Sequence, residues 1–404
     1  MNSAFSQYAS DTSANHLLRN NYNQLLRSER MFLFPFTALF HVKQCGKSLI
    51  GLAIVALITT GCFGISEPEG WSAPVQDGST IFAQLERGTI SAGTLSAAGT
   101  FTEKWQFPTS SDKDDFQGLY ATPVIVNGNM FIASYNGLVT AIEVRTGRPV
   151  WSEVTDIKSS VVATPLVDGL FVYVATEDGE IVVLDAENGV EVQRLLEREG
   201  RIWSSPIARG QNLYVGKLDG RELVALDKVD GSIQWSQGVG SAVSADLAFA
   251  DDLIIAGSLD GYLRAFDSRP PGAERWSYST TGWIVAAPLV SGDVIYGATL
   301  DGQVFSLDAN TGAERWVRNE DGLEIRSQPI LLDGVLVIAD RDGQLRGFDP
   351  ATGQLRWENS LSGTKLFADP LAFNGRVLYL TKDGELISVS PNNGSVASAF
   401  DKGG

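Results

Sequence analysis

A 41-residue repeat constrains this chain more than any other feature, because a unit that short cannot bury a core alone and must pack against copies of itself. A proline opens seven units, at Pro74, Pro123, Pro165, Pro206, Pro288, Pro329 and Pro370. From Pro123 the steps are 42, 41, 82, 41 and 41 residues. The double step leaves room for an eighth unit at Leu247, where Ala245-Asp246-Leu247 replaces the usual Thr-Pro or Ser-Pro. Fourteen residues after each start stands a glycine (Gly88, Gly137, Gly179, Gly220, Gly261, Gly302, Gly343, Gly384), preceded by Asp or Asn in seven of the eight. Ten or eleven residues further on comes another, from Gly99 and Gly147 to Gly353 and Gly394. Eight repeats follow from this register.

Each repeat is punctuated as four strands. After Pro288, Ser291-Gly292-Asp293 turns into the apolar run 294–298, and Asp301-Gly302 turns into 303–307, which alternates polar and apolar residues. Asn310-Thr311-Gly312 then leads to Trp316. Asp-Gly supplies the positive φ of a two-residue hairpin turn. Short strands at this spacing, without a convincing amphipathic helix, predict an all-β protein. Four strands per 41 residues and eight units predict an eight-bladed β-propeller of four-stranded antiparallel blades.

The third and fourth strands carry a family resemblance. Ala141-x-Glu143-x-x-Thr146-Gly147-x-x-x-Trp151 and Ala225-x-Asp227-x-x-Asp230-Gly231-x-x-x-Trp235 resemble the docking motif of the quinoprotein (PQQ-like) propeller repeat family. Trp316 and Trp357 end further copies, and Trp276 ends one with a single insertion. The resemblance implies that Trp105, Trp151, Trp235, Trp276, Trp316 and Trp357 pack between neighbouring blades while the Asp and Thr tie the turn. Gln193 and Ser398 stand where Trp is expected and Trp105 comes two residues late, so those blades should be looser. The family includes PQQ-dependent alcohol dehydrogenases and a lipoprotein of the outer-membrane β-barrel assembly machinery.

The N-terminus reads as an export signal. Lys43 and Lys47 precede an uncharged, mostly apolar run, 48–61, that is short for a bilayer span of roughly 20 residues. Ile58-Thr59-Thr60-Gly61-Cys62 resembles the lipobox of bacterial lipoproteins, which implies lipidation of Cys62. An uncleaved anchor is the alternative, and Met31 is a second candidate start. The expected organisation is an extension and signal peptide at 1–61, a lipidated Cys and tether at 62–70, and the propeller at 71–404. The protein is then extracytoplasmic and lipid-anchored to the cell envelope. It lies on the outer membrane facing the periplasm, or on the outer cell surface if there is no outer membrane.

Little catalytic chemistry is available to the body. Both histidines, His16 and His41, lie in the leader, which rules out a Ser-His-Asp triad or a His-based zinc site beyond it. The PQQ enzymes hold their cofactor beside a vicinal Cys–Cys pair and a calcium ion, and this chain has two cysteines, Cys45 and Cys62, far apart. Asp112 to Gly118 departs from a calcium loop, because Phe116 takes a ligand position. No catalytic residue, metal or cofactor is expected. The net charge of −17 argues against nucleic acid.

A binding surface is the better search. The residues just before each repeat start should form the blade entry near the central channel. They include Trp71, Tyr120, Trp203, Trp283, Arg326, Lys365 and Phe367, with Lys158 and Arg201 close by. Aromatic residues and Arg carry binding energy at interfaces. The competing expectation is that the rings pack between inner strands while the cations offset local acids. The 106–119 connection is a second candidate contact. The resemblance implies a non-catalytic scaffold for envelope protein partners, possibly the β-barrel assembly machinery. The alternatives are a periplasmic or cell-surface propeller that binds a small ligand or polysaccharide and, more remotely, a PQQ-dependent dehydrogenase.

Overall fold

The computed structural model describes residues 70–96, 100–109, 116, 118–196, 200–320, 322–361 and 363–400, with side chains to 397. The signal run and Cys62 lie outside these residues. The described chain forms 32 strands and no helix. They make eight four-stranded sheets, each built from four consecutive strands in chain order. Blade one holds β1 (Val75–Asp77), β2 (Thr80–Glu86), β3 (Thr89–Leu95) and β4 (Phe101–Phe107). Blade eight holds β29 (Leu371–Phe373), β30 (Arg376–Leu380), β31 (Leu386–Val389) and β32 (Val396–Phe400). Every strand pairing within a blade is antiparallel, as in β29–β30 and β30–β31.

The core lies between blades rather than within them. Eight clusters of buried side chains span the eight junctions. One, for example, joins Val139 and Trp151 of blade two to Val172 and Val182 of blade three. This is the packing that a unit without a core of its own requires. Among the described residues no strand is exchanged to close the ring. Blade eight packs Leu378, Leu380 and Leu386 against Ile81, Ala83 and Leu85 of blade one.

The turns divide into two kinds. The expected two-residue geometry occurs between the first and second strands, where Asp333-Gly334 and Asn374-Gly375 both have positive φ. The Asp-Gly turns between the second and third strands are instead three-residue loops, except in blade four, where Lys217 N donates to the Glu222 carbonyl across four residues. At Leu300–Gly302 the Thr299 amide donates to Gln303, and only Gly302 of the three has positive φ. The Thr299 hydroxyl donates to Asp301 Oδ1 at 2.5 Å, so the aspartate holds the loop by side-chain bonding.

The docking motif works as the resemblance implied. Asp308 accepts from the amides of Asn310 and Thr311, which ties the turn. Trp316 Nε1 donates to the Pro350 carbonyl of the next blade at 2.9 Å, and the indole lies against Gly353. Trp151, Trp235, Trp276 and Trp357 donate in the same way to the next blade. Trp105 also packs on the next glycine, Gly147, because its strand register with Ala92 matches that of Trp235 with Ala225. Its late spacing is taken up by a β3–β4 ladder that runs on to Leu95 and Phe101. Blade three is not left empty: Gln193 Nε2 donates to the Val229 carbonyl at 2.7 Å, and Leu195 takes the apolar contact with Gly231.

A second belt links the blade entries. In five of the eight blades the residue just before the repeat start accepts a backbone N–H from its equivalent one blade earlier. Ala73 N donates to Thr122 Oγ1, Thr122 N to Thr164 Oγ1, Thr164 N to Ser205 Oγ and Ser205 N to Asp246 Oδ1. Gln328 N donates to Asp369 Oδ1 at 2.6 Å. The hydroxyl of the repeated Thr-Pro or Ser-Pro is therefore a blade-to-blade bond, and Asp246 and Asp369 substitute a carboxylate.

Candidate partner-binding face

The approach to each inner strand alternates strictly. The second and fourth residues before the repeat start are buried in all eight blades except at Gly70, as with Ile325 and Ser327 or Leu366 and Ala368. The third residue therefore turns outward on one face, and it is where Trp71, Tyr120, Trp203, Arg326 and Phe367 stand. Trp283 and Lys365 occupy the fifth position, on the same face and half-exposed.

Part of this set is drawn into one arc. The Phe367 and Trp71 rings lie 5.2 Å apart, Trp71 and Tyr120 4.5 Å, and Tyr120 and Tyr135 5.4 Å. Tyr135 Oη donates to Glu177 Oε2 at 3.3 Å, and Trp203 Nε1 donates to Glu177 Oε1 at 2.8 Å. Arg201 lies over the Trp203 ring and makes a two-pronged contact with Asp219 at 2.8 and 2.9 Å. The arc thus crosses blades eight, one, two, three and four. Burial, then the Glu177 charge, pushes the Tyr135 phenol well above its usual range, so it stays a neutral donor. The Asp219 carboxyl is held below its ordinary range, first by the hydrogen bond from Arg201.

The remaining candidates are not joined to the arc. Lys365 pairs with Asp342, and Lys158 pairs with Asp156 in blade two. Arg326 stands 3.6 Å from Glu324, which also holds Arg341 at 2.7 Å. The Arg326 side chain is only 20% exposed, and burial lowers its pKa despite Glu324. These cations offset local acids, as the competing expectation had it. In the 106–119 connection, Phe107 and Phe116 are buried against each other at 5.7 Å, so the ring in the supposed ligand position belongs to the core.

Tyr135 and Glu177 are the functional candidates that the sequence reading missed. Both sit two residues before a loop glycine, where other blades place Leu218, Leu259 and Leu300. Aligning that position across repeats marks them as departures.

The channel does not fit a quinone cofactor and its calcium. Its two belt carboxylates sit on blades five and eight, each already bonded to a backbone amide. Among the described residues no group of three His, Cys, Asp or Glu is placed to hold a metal ion.

A family model described as outer membrane protein assembly factor BamB matches residues 94–221, 196–270 and 222–400. BamB of Escherichia coli K12 is 30% identical over 132 residues, which are 30% of this chain and 33% of that protein. BamB of Marinobacter adhaerens is 31% identical over 111 residues, 28% of this chain and 27% of its own. The match thus spans about a third of these relatives' length. The crystal structure of BamB from Moraxella catarrhalis superposes with a TM-score of 0.65 at 20% identity, covering 78% of this chain and 94% of that one. A computationally designed protein, Ika8, gives 0.67 at 17% identity, covering 80% and 96%. At these identities the two structures speak for the fold alone.

Proposed function

Since the chain belongs to the BamB family of outer membrane protein assembly factors, we propose that it is a non-catalytic, lipid-anchored scaffold of the cell envelope that binds protein partners of the outer-membrane assembly machinery. The observation that carries this reading is the arc from Phe367 to Arg201. Rigid rings, of which Trp71, Trp203 and Phe367 are half-exposed while Tyr120 and Tyr135 are buried, and an oriented guanidinium on one face have the composition of an interface centre. Among the described residues no group of three His, Cys, Asp or Glu is placed to hold a metal ion of the kind the quinoprotein enzymes use.

Affinity capture of the tethered full-length chain from its own envelope, with mass spectrometry, tests the reading. An outer-membrane assembly protein should be recovered. Arg201→Ala combined with Trp203→Ala should reduce that recovery at least ~10-fold, as loss of a central anchor does. Recovery of glycan with no specific protein would favour the ligand-binding propeller instead.

The anchor is tested separately. We expect Cys62→Ser to move the protein from the membrane fraction to the soluble fraction of the envelope, with its melting temperature unchanged. A variant that still sediments with membranes would count against lipidation at Cys62.

A further inference from the structure

We propose that the turns of blades three and four form a second docking surface, for a segment of a partner protein in which an arginine is flanked by apolar side chains. Leu170, Val190 and Val192 of blade three and Val229 and Ile233 of blade four are 51 to 74% exposed, the five most exposed large apolar side chains among the described residues. Apolar residues scattered singly over a surface are ordinary, whereas these adjoin one another. Ala186 N donates to the Leu170 carbonyl and Asp185 N to the Val190 carbonyl, each at 2.9 Å, which brings the two turns of blade three together. Gln193 Nε2 reaches the Val229 carbonyl at 2.7 Å, and Lys228 pairs with Asp168, which joins blade three to blade four. These turns follow the first and third strands, so they stand at the opposite end of the blades from the entries that carry the aromatic arc.

The other blades show what this surface lacks. In blades five, six and seven the aspartate that ties the turn between the third and fourth strands also meets an arginine at the start of the fourth. Arg275 meets Asp267, Arg315 meets Asp308 and Arg356 meets Asp349, at 2.6 to 3.4 Å and in each case through Oδ2. Asp185 and Asp227 tie their turns in the same way, each accepting two backbone N–H groups on Oδ1. Seven residues further on, where Arg315 and Arg356 stand after their aspartates, blade three has Val192 and blade four has Gln234. The nearby cations are engaged elsewhere, Lys228 with Asp168 and Arg194 with Glu191. Among the described residues Asp185 and Asp227 therefore keep Oδ2 without a cation, and the exposed Glu187 and Asp230 beside them add to the negative charge.

Charge complementarity selects the occupant. Apolar side chains between unneutralised carboxylates repel an anionic lipid surface and a second copy of the same patch, and they attract a basic segment with apolar neighbours. Arginine is the cation that this turn accepts in three other blades, where its guanidinium bonds the same aspartate oxygen. The partner's arginine takes that place at Asp185 or Asp227, and its apolar neighbours cover Leu170, Val192 and Ile233. The proposal goes beyond the scaffold reading and uses the end of the blades opposite Arg201 and Trp203, so either can fail alone.

The probe is a synthetic nonapeptide of alternating leucine and arginine. Fluorescence anisotropy of the labelled peptide against the full protein should show saturable binding, and serine in place of its leucines should weaken that binding at least ~10-fold. A photo-crosslinker at its centre should attach within 185–193 or 227–234. Val192→Arg combined with Gln234→Arg restores the arginines of the other blades at two exposed positions. It should weaken peptide binding at least ~10-fold and leave the melting temperature no lower. Absence of saturable binding, equal binding of the serine peptide, attachment elsewhere, or undiminished binding to the double variant would each overturn the proposal. A dimer of the full chain that Val192→Arg dissociates would overturn it too, by making a second copy the occupant. The peptide comparison and the crosslink need no variant protein to fold.

Discussion

Replacing Trp316 by alanine is expected to destabilise the propeller by about 3–5 kcal/mol, the range for truncating a large aromatic in a packed core. Trp316 is only 6% exposed, is wedged against Gly353, and is bonded to the Pro350 carbonyl of the next blade. The change removes inter-blade contact and leaves the carbonyl short of a donor. Trp316→Phe should recover most of the packing and lose about 1 kcal/mol for the hydrogen bond. The reciprocal change, Gly353→Ala, should be harmful for two reasons. Its φ is +67°, and an added Cβ would stand 2.6 Å from the indole. Blade three separates the two contributions that the indole combines. Gln193→Ala loses one exposed hydrogen bond and should cost under ~1 kcal/mol, whereas Leu195→Ala, with its buried contact to Gly231, should cost about 2–5 kcal/mol. Urea unfolding followed by tryptophan fluorescence and circular dichroism measures each midpoint. Equal midpoints for wild type and Trp316→Ala would mean that the junction is not held by this contact.

That blade-three result also marks how far the sequence could be read. Repeat number, blade composition and the six docking tryptophans were legible because each depends on a residue type that few others can replace. Glycine meets a positive φ, and the indole offers a large flat face with one donor. The reading faltered where one function is divided between two ordinary residues. Gln193 looked like a missing Trp, yet it supplies the donor while Leu195 supplies the surface. The belt was hidden for a related reason. Thr122, Thr164 and Ser205 precede the prolines that mark the repeat, and a bond to a residue 41 or 42 positions away leaves no local trace. Alternation explains the binding face. The residues before each repeat start alternate, but which of them meet depends on the neighbouring loop, where Tyr135 and Glu177 replace leucines. Arg326 was unreadable in this sense, because Glu324 beside it is shared with Arg341 from a loop 15 residues further on.

Asp369→Asn is expected to stabilise the protein at pH 7.5 and to have little effect near pH 4.5. Burial in the channel wall pushes the Asp369 carboxyl up to about 6, with the Asp246 charge adding to the shift and the Gln328 amide opposing it. Its value in the unfolded chain is about 3.9. The folded state therefore holds the proton more tightly. Stability contributed by this group rises as pH falls from about 7 through 6 and levels off near 4, the reverse of an ion-paired aspartate. The shift corresponds to at most ~3 kcal/mol. The belt carboxylates are still reached by channel water, which reduces the expected gain to about 1–2 kcal/mol. Asparagine keeps the oxygen that accepts the Gln328 N–H at 2.6 Å, so the belt survives the change. Asp246, also raised by burial, should respond in the same direction when replaced by Asn. Carboxyls held low by arginine, such as Asp349 at about 2, act only at the acid end and leave the window around pH 6 to Asp369. Melting temperatures of wild type and Asp369→Asn, measured from pH 4.5 to 7.5, should converge at the acid end and separate above pH 6. Parallel curves, or a variant that melts lower at pH 7.5, would mean that the carboxylate strengthens the belt when ionised.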